Sequence, residues 1–209
     1  MNVVLVHGIF NSARIMAGLC RHLSAAGHSC FAPSLKPSDG RPGLAFLSEQ
    51  LAQFVGSSIP IGDRFALVGY SMGALVCRHY LQELGGRHRV DAFFSIAGPH
   101  HGTLTAYLYP GRGAREMRPR SAFVRQLDGT SGCLCDVPIT CYWSPTDTVI
   151  RPPSSSRMEG AGHVRLLISF HPLLTFDRRI YRDIELRLSA LKPNKTTEPT
   201  SGNESSRMT

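Results

Sequence analysis

Residues 65–73 read Phe-Ala-Leu-Val-Gly-Tyr-Ser-Met-Gly, and this stretch decides the fold. The unbroken apolar run 65–68 predicts a buried strand, and the residues from Ala74 to Leu84 predict a helix. Between the two, Gly-x-Ser-x-Gly is typical of a sharp strand-to-helix turn that holds a serine in a strained conformation with its hydroxyl exposed. A side chain at either glycine would collide with the neighbouring strand or helix. The pattern therefore predicts Ser71 as a nucleophile, rather than as a residue of a purely structural turn.

Strand and helix patterns alternate over residues 1–191, which favours one α/β domain with a parallel sheet and helices on both faces. We predict a three-layer sandwich whose mostly parallel sheet has about six strands. Residues 192–209 differ, because they carry a single apolar residue, Met208, and we expect them to form a disordered tail. Apolar runs place strands at 2–6, 30–32, 64–69, 90–97 and 137–143, with a last short strand at 157–160.

The serine needs a base, and the base needs an orienting acid. In a sheet of this kind the partners follow the serine in the order acid, then histidine. Asp147 lies in the loop after the strand at 137–143, so we expect it to be the acid rather than a simple turn residue. His163 follows a run of small residues and is the favoured base. His171 is the other histidine in the right order, but it precedes Pro172 and opens a predicted helix, where a cap or surface role suits it better.

An oxyanion intermediate needs two backbone donors. The amide of Met72, directly after the serine, is one. The other is expected from the loop after the first strand, where Gly8 permits a tight turn that would aim the Ile9 amide at the site, with Phe10 as the second candidate. His7 is expected to brace this loop by hydrogen bonds.

Composition narrows the classes of function. The chain has 209 residues and a formal net charge of +8. It has no apolar run long enough to cross a membrane, and it begins without a recognisable export signal, so we expect a cytoplasmic protein. Cys133 and Cys135 are an incomplete metal site, and we expect no metal and no cofactor. Nucleic acid is not an expected partner, because basic and aromatic residues are not interleaved.

The positive charge is concentrated between residues 111 and 125, which contain five arginines and one acid, Glu116. One interpretation is a solvated loop. The other is a basic rim that attracts anionic lipid surfaces or acidic substrates. This segment is also the expected partial lid, because it joins strand to helix at the active edge.

Five motifs together resemble the α/β-hydrolase superfamily, and within it the small triacylglycerol lipase/esterase type, closest to minimal, nearly lidless bacterial lipases. By this resemblance Ser71, Asp147 and His163 fall on the nucleophile, acid and base, and Ile9 and Met72 on the oxyanion donors. Phe10, Tyr70, His100 and His101 fall beside the site. The motifs are Val-His-Gly-Ile (6–9), Gly-Tyr-Ser-Met-Gly (69–73), Gly-Pro-His-His-Gly-Thr (98–103), Ser-Pro-Thr-Asp (144–147) and Gly-Ala-Gly-His (160–163).

The resemblance implies a serine hydrolase that cleaves small-molecule or lipid carboxylic esters through an acyl-enzyme, with a minimal lid or none. Phe10-Asn11 stands where the family often has glycines, which narrows the expected acyl pocket. A serine rather than an aspartate at the turn argues against dehalogenase and epoxide hydrolase chemistry. Acyl transfer and thioester hydrolysis use the same triad and stay open, as does a non-catalytic binding module built on this fold.

Overall fold

A single sheet of six parallel strands forms the centre of the molecule, in the order β2-β1-β3-β4-β5-β6. The computed structural model describes residues 1–191, and the predicted tail at 192–209 lies outside the described residues. The predicted parallel sheet of about six strands is confirmed. The strands are β1 (Asn2–Val6), β2 (Ser29–Phe31), β3 (Phe65–Tyr70), β4 (Val90–Ile96), β5 (Ile139–Trp143) and β6 (Gly162–Arg165).

The last strand is not where the sequence predicts it. We expected it at 157–160, but β6 begins at Gly162 and pairs with β5 so that His163 lies opposite Cys141. This edge strand is mostly exposed to solvent. Its sequence therefore lacks the continuous apolar run that identifies the buried strands, and this is why the prediction was misplaced by a few residues.

Helices cover both faces of the sheet, as predicted. On one face the helices α2, α3 and α5 pack against side chains such as Val4 and Leu67, and on the other face α1 and α6 pack against Val3 and Val68. Neighbouring residues of a strand thus enter opposite layers of the core, as the period of two requires. The helices are α1 (Ala17–Ala25), α2 (Leu44–Ser58), α3 (Met72–Glu83), α4 (Arg112–Glu116), α5 (Ala122–Gly129) and α6 (Arg178–Ala190).

The position of β3 in the sheet determines where the predicted nucleophile lies. All six residues of β3 are buried, because β1 and β4 flank the strand and helices cover both of its faces. Ser71 follows directly and so lies at the carboxyl edge, near the middle of the sheet. Loops after the other parallel strands reach the same edge. Among residues 1–191, no helix has the length and apolar character needed to traverse a bilayer.

Candidate active site

Ser71 forms the turn between β3 and α3. Its backbone has φ 53° and ψ −122°, a conformation that side chains other than glycine seldom adopt. Two hydrogen bonds fix it: the Ser71 amide donates to the carbonyl of Ile96 at 2.9 Å, and the Ser71 carbonyl accepts from the amide of Ala74 at 3.0 Å. The strain is of the kind that is stored at functional sites when the surroundings enforce it.

The two glycines of the motif allow this turn to pack tightly. A methyl group at Gly69 would lie 2.6 Å from the Cα atom of Ala74, and one at Gly73 would lie 2.6 Å from the carbonyl oxygen of Val6. These distances are well inside van der Waals contact, and both neighbours are backbone atoms that cannot easily move. The predicted clash with strand and helix is therefore confirmed at both positions.

The loop after β1 lies directly beside the serine. A methyl group at Gly8 would come within 3.1 Å of the Ser71 Cβ atom. The Phe10 amide donates to the carbonyl of Ser38 at 2.8 Å, so it is already engaged within the fold. This leaves Ile9 as the better of the two loop donors. Met72 is the first residue of α3, where backbone amides have no partner inside the helix.

His7 braces that loop, as predicted. Its Nε2 atom accepts a hydrogen bond from the Leu35 amide at 2.9 Å, and its Nδ1 atom lies 2.8 Å from the carbonyl oxygen of Gly8. With Nε2 as the acceptor, Nδ1 carries the proton and donates it to Gly8. Burial lowers the pKa of His7 below its ordinary value, which is consistent with this neutral form.

Asp147 pairs with His171. The Oδ2 atom of Asp147 lies 2.8 Å from Nδ1 of His171, while Oδ1 accepts hydrogen bonds from the amides of Val149 at 2.8 Å and Ile150 at 3.1 Å. Both side chains of the pair are almost fully buried. The carboxylate is therefore fixed by backbone donors and in turn fixes the imidazole.

His163 is not brought to Asp147, and the prediction that these two form a pair is wrong. Its Nε2 atom lies 3.0 Å from the carbonyl oxygen of Met158, and the residue belongs to the exposed edge strand β6. The hydrogen bond to Asp147 is made by His171 instead, from the loop that follows β6. The carboxyl edge of the sheet is reached by the loop that follows a strand, not by a residue within the strand.

One signal in the sequence could have found His171. Residues 162–168 read Gly-His-Val-Arg-Leu-Leu-Ile, an alternation that suits a short edge strand. Had the strand been placed there, His171 would have been the histidine in the loop beyond it. The following Pro172 suggested a helix start, and residues His171–Phe176 do form a short 3-10 helix, but its first side chain turns inward.

Tyr70 connects the pair to the serine. Its ring packs against that of His171 in a tilted arrangement, with ring centroids 5.1 Å apart, and it directly precedes Ser71 in the chain. The Nε2 atom of His171 is buried and has no hydrogen-bond partner among residues 1–191. The predicted placement of Tyr70 beside the site is thus matched by a contact with the histidine.

His100 and His101 face a different part of the molecule. The Nε2 atom of His100 lies 2.7 Å from the hydroxyl of Ser95, and His100 is completely buried. The ring of His101 is directed at Asp128 on α5, with 3.5 Å between Nδ1 and Oδ2. Neither histidine makes a described hydrogen bond with Ser71 or the Asp147 pair, so the expected role of lining the site is not supported by these contacts.

A cleft of about 680 Å³ opens on that same side, bounded in part by Arg78, His101 and Met158. It does not include Ser71. The Arg78 guanidinium at its wall already donates to the carbonyl of His100 at 3.0 Å and to Asp128 at 3.0 Å. The cleft is therefore separate from the candidate active site.

The basic segment 111–125 is anchored to the fold by its one acid. Glu116 accepts a hydrogen bond from the amide of Leu44, at the start of α2, at 2.5 Å and another from Arg112 at 2.8 Å. Four of its five arginines are exposed, and Arg118 is partly buried. A role as a partial lid stays a prediction.

Comparisons with known proteins agree with this fold. A model of the alpha/beta hydrolase fold family matches residues 2–120, more than half of the chain. The lysosomal thioesterase PPT2 of Mus musculus is 33% identical over 104 residues, which cover 48% of this chain and 34% of that protein. The Homo sapiens protein of the same name has the same identity and coverage. The chain thus spans about a third of the length of these curated relatives.

Two solved structures share the fold. The mature form of Bacillus licheniformis lipase BlEst2 has a TM-score of 0.70 and 14% identity, over 90% of this chain and 91% of that one. Aspergillus fumigatus lipase B has a TM-score of 0.69 and 20% identity, over 83% of this chain and 49% of that one. The resemblance to the α/β-hydrolase superfamily inferred from the five motifs is confirmed.

Proposed function

The chain belongs to the alpha/beta hydrolase fold family, and from this premise we propose that it is a serine hydrolase of carboxylic esters. In this proposal Ser71 is the nucleophile, His171 is the general base and Asp147 orients the base. His171 rather than His163 is the base in this proposal, because His171 is the histidine that pairs with Asp147. No metal or organic cofactor enters the reaction.

The observation that carries the proposal is the state of the His171 ring. Its Nδ1 atom is held by Asp147, whereas its Nε2 atom is buried and unpartnered among residues 1–191. A buried polar atom without a partner is costly, so each one in a native protein needs an explanation, and a catalytic role is one such explanation. With Nδ1–H donating to the carboxylate, Nε2 is the basic nitrogen and is free to accept the proton of the Ser71 hydroxyl.

The reaction proceeds in two stages. The Ser71 Oγ atom attacks the ester carbonyl as its proton passes to Nε2 of His171, and Asp147 stabilises the imidazolium that results. The tetrahedral intermediate collapses, the C–O bond to the alcohol breaks, and the alcohol leaves with the proton from His171. Water then gives a proton to the same nitrogen and attacks the acyl-enzyme. The bond between the acyl carbon and the Ser71 Oγ atom breaks, Oγ takes the proton back from His171, and the carboxylic acid is released.

Backbone donors stabilise the negative charge of each intermediate. We assign the amides of Ile9 and Met72 to this role, because the Gly8 loop lies against Ser71 and Met72 opens α3. The N-terminus of α3 adds a favourable partial positive charge at the same place. Losing one such donor typically costs about 10²–10³ in kcat.

A fluorophosphonate probe tests the proposal directly. The probe should add covalently to the Ser71 hydroxyl, and intact-mass and peptide analysis should locate the adduct at this residue. Ser71→Ala should not react, and His171→Ala should react far more slowly. The matched control is Ser57→Ala, which removes a serine on an exposed part of α2 and should leave labelling unchanged.

Two results would count against the proposal, one against the activity itself and one against the assignment of the base. Absence of labelling in a sample that circular dichroism shows to be folded would favour a non-catalytic binding module. Labelling that depends on His163 rather than on His171 would contradict the assignment of the base. Hydrolysis of p-nitrophenyl esters of rising acyl length would then rank the acyl preference.

Thioester hydrolysis is the second candidate, favoured by the 33% identity to a thioesterase over 104 residues. A matched pair of substrates separates the two: the octanoyl thioester of N-acetylcysteamine and the octanoyl ester of N-acetylethanolamine. The ratio of their kcat/KM values is compared with the ratio of their hydroxide-catalysed hydrolysis rates. If the enzyme prefers the thioester more strongly than hydroxide does, the protein is a thioesterase. If its preference for the thioester equals that of hydroxide or is smaller, the protein is an esterase.

Acyl transfer is tested in the same assay by adding an alcohol, since a transferase forms the new ester faster than the free acid.

A cytoplasmic location is likewise part of the proposal. It is tested by following the tagged full-length protein through cell fractionation.

A further inference from the structure

Large apolar side chains are exposed around the candidate active site. Most of the exposed large apolar residues of the described chain belong to three short stretches at this edge, and Leu108 and Leu167 are 79% and 71% exposed. Contiguous exposed apolar surface in a soluble protein usually marks a place of interaction. We call this set the apolar rim: Phe10, Leu104, Tyr107, Leu108, Tyr109, Leu167, Phe170, Leu173 and Phe176.

Contacts join the three stretches into one surface. The rings of Phe10 and Tyr109 lie 5.5 Å apart, which links the Gly8 loop to the segment 104–109. The Leu104 amide donates to the carbonyl of Arg151 at 2.8 Å, next to the loop of Asp147.

From the Asp147 loop the surface continues to the stretch that carries the histidine. The Thr148 amide donates to the carbonyl of Ser169 at 3.2 Å, and residues 167–176 contain His171 as well as the last four members of the apolar rim. The rim therefore borders Ser71 and the Asp147–His171 pair from several sides.

Positive charges outnumber negative ones beside the apolar rim, and Asp177, which follows Phe176, is paired with Arg179. Arg118 lies over the ring of Tyr107, 4.5 Å from its centroid, and Arg151 is exposed beside Leu104. The segments 104–120, 147–151 and 164–176 contain six arginines but only two acids. Both acids are engaged, since Glu116 holds Arg112 and the start of α2, and Asp147 holds His171.

We propose that the apolar rim and its arginines dock the protein peripherally on an anionic lipid bilayer, with the candidate active site facing the membrane. Leucine and aromatic side chains enter the boundary between headgroups and acyl chains, and arginines are attracted by the negative surface potential. A second copy of this chain is the less suitable occupant, because a symmetric contact would bring the same arginines against each other. Docking goes beyond the proposed hydrolysis, since it requires no bond to be broken.

Vesicle sedimentation tests the proposal. The full chain carrying Ser71→Ala is mixed with vesicles of phosphatidylcholine alone, or of equal parts of phosphatidylcholine and phosphatidylglycerol, so that binding is measured without turnover. Binding to the anionic vesicles is expected to be stronger and to weaken as salt is added. Adding Leu108→Ser and Phe170→Ser is expected to lower binding by roughly tenfold or more.

Matched controls separate this surface from general stickiness. Ile61 is 98% exposed but precedes β3, at the opposite edge of the sheet, so Ile61→Ser should not change binding. Neutralising Arg118 and Arg151 to Gln should weaken binding to anionic vesicles only, whereas Arg182→Gln, on α6, should not. Circular dichroism is used to check that each variant is folded.

Three outcomes would overturn the proposal. The first is an absence of vesicle binding. The second is equal binding by the Ser71→Ala protein with and without Leu108→Ser and Phe170→Ser. The third is a loss of binding in Ile61→Ser as large as that caused by the two rim substitutions. Sedimentation velocity that shows a dimer abolished by the rim substitutions, with no vesicle binding, would assign the surface to a second copy. Fluorophosphonate labelling of the wild type is scored separately, so failure to dock and failure of the proposed chemistry are distinguishable.

Discussion

The Nδ1 atom of His171 lies 2.8 Å from Oδ2 of Asp147, although the two residues are 24 positions apart in the chain. The second oxygen of the carboxylate is held by the amides of Val149 and Ile150. The carboxylate therefore cannot rotate without breaking three hydrogen bonds. This arrangement fixes which nitrogen of His171 stays available, and it is the basis of the first prediction.

Replacing His171 by alanine is expected to reduce kcat/KM for p-nitrophenyl butyrate by about 10³-fold or more, because the nucleophile loses its base. His163→Ala is expected to change the same quantity by no more than about twofold, since this residue lies on the edge strand β6 and not beside Asp147. Steady-state kinetics of the two variants and the wild type provide the measurement.

The pair of variants is its own control, since each removes one imidazole from the same region. Thermal unfolding shows whether either change affects the fold. If His163→Ala abolishes activity while His171→Ala retains it in folded protein, the assignment of the base is reversed.

His100 is expected to make the protein less stable in mild acid. Complete burial, with the charges of Arg78 and His101 as smaller contributions, lowers the pKa of His100 well below 6.5. The unfolded chain therefore takes up the proton first, and the stability due to neutral His100 is complete above pH 6.5 and is lost as the pH falls below it. One such histidine contributes a slope of about 1.4 kcal/mol per pH unit.

Urea unfolding of the wild type and His100→Gln at several pH values from about 7 to 5 checks this slope. The variant should be less stable at neutral pH, because its amide fits the contact with Ser95 less well, but its stability should fall less steeply with acid. The remaining slope is assigned to His7, His28 and His79, whose pKa values burial lowers in the same direction. Identical slopes in both proteins would contradict the prediction.

Gly73→Ala is expected to destabilise the protein by about 3 kcal/mol or more, because the new methyl group would meet the backbone of Val6 and His7. Gly56→Ala is the matched control. Gly56 lies in the exposed part of α2 with nothing within 4 Å of the added methyl group, so alanine should stabilise by about 0.5–1 kcal/mol. Midpoints of urea unfolding measure both changes, and an equal effect at the two positions would disprove the steric explanation.

The sheet and the Ser71 turn could be predicted from sequence because the information is local. When helices pack on both faces of a buried strand, the strand must be apolar throughout. The strand β3 is buried in this way. Only glycine fits at positions 69 and 73, because neighbouring backbone atoms occupy the space that a side chain would need. Asp147 could be placed because it follows a clear strand.

The histidine could not be placed with the same rules. The choice between His163 and His171 depends on which residues form β6, and an exposed edge strand carries little apolar pattern. The apolar rim was missed for a related reason. Its members come from three distant stretches, and only the folded chain shows that Phe10 and Tyr109 meet. Hydrophobic periodicity cannot distinguish an exposed leucine such as Leu108 from a buried one.

The last prediction concerns Arg78, whose replacement should lower the stability of the protein but not its activity. This guanidinium is almost fully buried and donates to Gln82, to the carbonyls of His100 and Leu127, and to Asp128, so it ties α3 to α5. Arg78→Met should lower the free energy of unfolding by about 2–3 kcal/mol, because the carbonyl of His100 loses its donor and stays buried. Arg125→Met, at an exposed position on α5, should change it by less than about 0.5 kcal/mol.

Activity is expected to respond differently. None of the four partners of Arg78 contacts Ser71, Asp147 or His171 through a described hydrogen bond, so kcat/KM of folded Arg78→Met should stay within about twofold of the wild type. Urea unfolding gives the free energy of unfolding, and steady-state kinetics at a temperature where both proteins are folded give kcat/KM. A large loss of kcat/KM without loss of stability would mean that Arg78 and the cleft beside it take part in substrate binding, since the contacts of the folded protein give it no other route to the reaction.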